Sequence, residues 1–184
     1  MNRKTAMKLF GLLGLLMLLS CGYADRHRNN SSCEQVLVDS LEVRVQDSLF
    51  SNVHYSRSQV LDALTQTQDS QVYYRLLALY GKTFFVSSDF DSILYYNRRV
   101  KEFSRNASQS SESLQSPQWN DVLSDVYNIE GNVWMQLNRP DSAITDYKKA
   151  YEYRLKGKKL HLLPDICINI ADAYLHRSDL AHTA

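Results

Sequence analysis

From Glu34 to the end of the chain, apolar residues return at steps of three and four, the rhythm of helices with one buried side. In VLVDSLEVRVQDSLF the apolar set is Val36, Leu37, Leu41, Val45 and Leu49, and VLDALTQ, after Ser56 and Ser58, predicts a second, shorter helix. QVYYRLLALYGKTFFVSSDFDSILYYNRRVKEFS predicts a further helical hairpin, its aromatic density marking a packed element rather than a linker. NASQSSESLQSPQ follows with almost no apolar periodicity and reads as a loop. The pattern resumes strongly in YNIEGNVWMQLNRPDSAITDYKKAYEYRL, from Tyr127 to Leu155. A basic turn, KGKKLHLLP, then leads into a last helix, DICINIADAYLHRSDLAHTA. The expected fold class is all-α, with one helical domain over residues 34–184.

The strongest segment has small and aromatic residues in a fixed order. Gly131, Ala143 and Ala150 read as points where two antiparallel helices touch, and Tyr127, Trp134, Leu137 and Tyr147 as the fillers beside them. Pro140 and Asp141 fall in the turn, where proline fits a first helical position and aspartate faces exposed amides. This ordered set, within residues 124–155, resembles a tetratricopeptide repeat, and the resemblance implies an α-solenoid of helical hairpins. Matching Asp91-Ser92 to Asp141-Ser142 lays Gly81 on Gly131 and Phe84 on Trp134. Ile93, Asn97 and Val100 then take the places of Ala143, Tyr147 and Ala150, larger groups expected to spread or rotate that pair. The serine-rich loop accounts for 50 residues between Gly81 and Gly131, where a tight array has about 34. Ala171 and Tyr174 match Gly131 and Trp134 once more, as the first helix of a third repeat. No second helix follows, so the array is expected to be incomplete at the carboxyl terminus, as in the amino-terminal part of a longer protein. A bare last helix predicts marginal stability and self-association.

The resemblance implies binding rather than catalysis, on a concave face lined by the first helix of each pair. On that face it places Asp125, Asn128, Asn132, Met135 and Gln136; Arg75, Lys82 and Phe85; and Asp165, Asp172 and His176. Asn128 and Asn132, one helical turn apart, would bracket a peptide backbone with amide hydrogen bonds. Asp125, Asp165 and Asp172 depart from the basic set of the carboxylate-clamp members, which argues against a free peptide carboxylate as ligand. The expected partner is a protein or peptide.

The amino terminus changes the picture. Arg3, Lys4 and Lys8 precede an apolar run from Leu9 to Leu19 that is too short to span a bilayer and reads as an export signal over residues 1–20. Leu18-Leu19-Ser20-Cys21 resembles the lipobox of bacterial lipoproteins, which implies lipidation of Cys21 and a membrane-anchored protein of the cell envelope. The alternatives are cleavage after Gly22-Tyr23-Ala24, which would release a soluble periplasmic or secreted chain, and an uncleaved anchor, for which the run is short. Residues 21–33 are polar and suit a tether. Cys33 and Cys167 remain, with a disulfide between them one possibility and Cys167 as a small buried hydrophobe the favoured one.

Bulk composition, 44% hydrophobic and 22% charged, is that of a globular chain, and a formal charge of +1 gives no nucleic-acid signature. His27, His54, His161, His176 and His182 lack metal-type spacing, and no phosphate loop or nucleophile elbow occurs. No cofactor, metal or catalytic residue is expected. Asp121 and Asp125 stand at helical spacing, read as a solvated face in preference to an acid–base pair. Asp-Ser-apolar triplets begin at Asp39, Asp47, Asp91 and Asp141, and the latter two read as helix caps. Two other functions stay open: the sensory half of a signalling protein with a histidine kinase or DNA-binding output, and an accessory subunit in glycan uptake.

Overall fold

A computed structural model describes residues 34–107 and 116–183, where every regular element is helical. Helix α1 covers residues 34–48, α2 Val53–Gln66, α3 Ser70–Lys82, α4 Phe90–Ala107, α5 Pro117–Gln136, α6 Pro140–Leu155 and α7 Leu163–Thr183. Short 3-10 turns occur at Phe85–Ser87 and Leu160–Leu162. The signal, the tether, Cys21 and Cys33 lie outside the described residues, as do residues 108–115 of the serine-rich loop. None of the described helices is long and apolar enough to cross a membrane.

Local chemistry sets the helix starts. The Asn52 carboxamide accepts from the Tyr55 amide at 3.0 Å, Asp69 accepts from Gln71 and Val72, and Ser116 accepts from Trp119 just before Pro117. At α4 the cap is Asp89, which takes the Ser92 amide at 3.1 Å. Asp91 and Asp141 stand inside their first turns, where they favour the helix dipole without capping it, and α6 begins on Pro140 with no side-chain cap. Ser88 and Asn138 adopt left-handed backbone, φ 54° and 57°, at matching places in the α3–α4 and α5–α6 turns.

Consecutive helices pack as neighbours, most extensively α5 with α6, then α6 with α7 and α3 with α4. Helix α3 also touches α5, and α5 touches α7, while no comparable contact joins α2 to α4 or α4 to α6. Helix α5 therefore touches both α3 and α7.

The core follows the chain. Val38, Leu41 and Val45 of α1 and Leu49 just after it pack with Val60, Val72, Leu76 and Leu79. This corrects the expected face of α1, because Val36 and Leu37 are exposed and Val38 is buried. Leu77, Val100, Trp119, Val122, Leu123 and Val126 form the middle, where the Trp119 indole donates to the Ser104 hydroxyl at 3.0 Å. Ile93, Asn97 and Val100 are fully buried, and Asn97 donates its amide to the Val126 carbonyl at 3.2 Å. These larger groups are thus taken into the core, and the α3–α4 contact is less extensive than α5–α6. Helix α7 buries Ala173 against Ala143, Ile144 and Tyr147, whereas Ala171 is exposed.

Candidate functional site

The α3–α5–α7 side carries the residues expected to bind a partner, and several of them are engaged internally. Arg75 is buried, its guanidinium 2.6 Å from Asp39 and 2.9 Å from Glu42 of α1. Burial pulls its pKa down, but Glu42 and Asp39 outweigh this and hold it above the ordinary value. Lys82 donates to the Gln46 carboxamide at 2.7 Å. Asp125 pairs with Arg154, which is buried on α6 and also lies 2.7 Å from Asp121. Asp121 further accepts the amides of Lys158 at 2.9 Å and Lys159 at 3.2 Å. The Lys159 ammonium closes the chain of charges on Glu42 at 3.0 Å. Burial lowers its pKa, yet Glu42 and Asp125 raise it by more.

These contacts make one ionic network across α1, α3, α5, α6 and the turn before α7. Asp121 is therefore buried rather than part of a solvated face, Asp125 keeps 44% of its side chain exposed, and one guanidinium holds both. Gly157 belongs to the same arrangement, because a Cβ there would lie 2.1 Å from the Asp121 carboxylate. Sequence reasoning missed Arg154, Lys159 and Glu42. A signal existed for Arg154: it continues the buried series Ala143, Tyr147, Ala150 at helical spacing, where a charge needs a buried partner.

Further along, the Asn128 carboxamide oxygen accepts from Asn169 of α7 at 3.1 Å, and the Asn132 oxygen accepts the Tyr147 hydroxyl at 2.7 Å. Each therefore keeps amide N–H groups as its remaining donors. Phe85 is half-buried against Ile93, Ile129 and Val133, and Met135 against Ala143 and Ile144. Gln136, Asp165 and Asp172 are exposed, and His176 is half-buried.

The packing residues divide as follows. Gly131, Ala143, Tyr147 and Ala150 are buried at the α5–α6 contact, and Gly81 at the α3–α4 contact. Tyr127 stacks on Tyr153 with ring centroids 5.6 Å apart, and the Trp134 indole donates to Asp146 at 2.8 Å. Leu137, expected as a filler, is exposed at the helix end. Tyr174 is half-buried, with the Arg177 guanidinium 4.7 Å over its ring. Cys167 is an exposed free thiol, which corrects its reading as a buried hydrophobe.

Burial lifts the Tyr127 phenol to about 12, with Tyr153 and Glu130 adding to it. Burial likewise raises Glu130, against the opposing pull of Lys101 at 2.5 Å. No group of three or more histidine, cysteine, aspartate or glutamate side chains among the described residues is arranged to hold a metal ion. Tyr127 thus belongs to a ring stack and Glu130 to an ion pair.

Comparison with family models, with curated proteins and with solved structures gives no match.

Proposed function

We propose that this chain is a non-catalytic protein-binding module of tetratricopeptide type, held in the bacterial cell envelope by lipid on Cys21. The observation that carries the reading is the α5–α6 hairpin. Gly131 leaves room for the Tyr147 ring, and Ala143 and Ala150 are wholly enclosed, so this segment's small and aromatic residues serve helix packing. The charged clusters are matched by internal partners, which favours binding over chemistry. On this reading the ligand is a protein or extended peptide lying across α5 and α7. The free N–H groups of Asn128 and Asn132 would meet its backbone carbonyls, and Gln136 and His176 would flank it.

Capture from the native envelope, comparing two sets of surface variants, tests the reading. Gln136→Arg with His176→Glu should lose the partner, while Thr145→Arg on the exposed side of α6 should keep it. Unchanged capture by the first pair would contradict the proposed surface. Incorporation of labelled palmitate that disappears in Cys21→Ala would support the anchor, and its absence from the parent chain would refute it.

A further inference from the structure

Helix α7 buries Ala173 against α6, and Ile166 is buried as well. Its other side carries Cys167, Ile168, Ala171 and Leu175, all exposed, Ile168 and Leu175 at 65% each. Their spacing makes one apolar stripe about two helical turns long. Asp165 and Asp172 stand along one edge of it, seven residues apart, and Asp179 continues the step. The opposite edge holds Tyr174 and Ser178, with the Lys148 ammonium 5.5 Å and the Arg177 guanidinium 4.7 Å from the Tyr174 ring. Arg177 faces α6, 3.4 Å from Asp141.

We propose that this stripe docks an amphipathic helix of another protein, one with Lys or Arg at seven-residue steps beside its apolar side. The inference rests on the binding-module reading and takes the apolar side of α7 that Asp165 and Asp172 border. A helix is the favoured occupant because Ala171, central in the stripe, permits close approach of another helix, as small residues do between α5 and α6. The sign of its edge follows from Asp165 and Asp172. A second copy packed through antiparallel α7 stripes is disfavoured, because centring the pair on Asp172 would set that carboxylate beside its own mate.

The test uses the full chain with Cys21→Ser and Cys33→Ser, so that Cys167 is its one thiol and reports cover of the stripe. The probe is a synthetic three-heptad helix with leucine on its apolar side and lysine on the flanking edge; a twin carries glutamate there. The lysine peptide should slow maleimide modification of Cys167 about tenfold at a concentration about ten times its Kd, an effect lost in high salt. The glutamate twin should give no protection. Asp165→Lys with Asp172→Lys should reverse the preference, and Ile168→Ser with Leu175→Ser should abolish protection by either peptide. Equal protection by both peptides, or by neither, overturns the proposal whether or not the charge-reversed variant folds. Occlusion of Cys167 that rises with protein concentration and needs no peptide would overturn it in favour of a second copy. Loss of the native partner in Gln136→Arg with His176→Glu, without peptide protection here, would sink this inference alone.

Discussion

At Gly131 a Cβ would lie 2.3 Å from the Tyr147 ring, too close for any side chain unless the ring moves. Gly131→Ala should therefore destabilise the chain by about 1–3 kcal/mol in urea titrations, outweighing alanine's helix preference of about 1 kcal/mol. At Gly81 the nearest atom to such a Cβ is 3.1 Å away, so Gly81→Ala should have the smaller effect. Arg154→Ala leaves the buried Asp121 carboxylate without its cation and should cost about 3–5 kcal/mol, a large share of a typical domain's margin. Tyr127 supplies a pH signature. Its folded pKa of about 12 lies above its ordinary 10.0, so its contribution is whole below pH 10 and lost as pH rises toward 12. Denaturation midpoints followed across that range should fall less steeply in Tyr127→Phe than in the parent. The role of Gly131 was legible because glycine within a helical pattern marks a close approach. The Arg154 pair was not, because a sequence shows a charge without showing its burial.

Among the elements, the α5–α6 hairpin was the most legible, since its small and aromatic residues fall at fixed steps on facing helices. The buried face of α1 was harder to read. Val36, Leu37 and Val38 offer three apolar residues in a row, and the choice of Val38 accompanies the distant bonds from Arg75 to Asp39 and Glu42. Ala171 and Ala173 pose the same ambiguity two residues apart, resolved when α6 takes Ala173. The extent of packing predicts an order of local opening. Amide exchange should be slowest in α5 and α6, and faster in α2, which buries only Ser56 and Val60. Equal protection of α2 and α5 would contradict that order.

For the whole molecule, the bond from Lys159 to Glu42 ties the turn before the last helix back to the first one. That contact joins residues far apart in sequence, and no local pattern announces it. The candidate surface was legible in part for this reason: helical spacing placed Arg75, Lys82 and Asp125 correctly on their helices but did not reveal their internal partners. Gln136, Asp165 and Asp172 remain exposed, so the account assigns recognition to the α5–α7 side and none to the outer side of α6. Photo-crosslinking in the native envelope addresses that claim most directly, with a benzophenone amino acid placed at Gln136 in one chain and at Thr145 in another. The account predicts a discrete protein adduct from Gln136 and none from Thr145. Equal adducts from both positions, or an adduct from Thr145 alone, would contradict it.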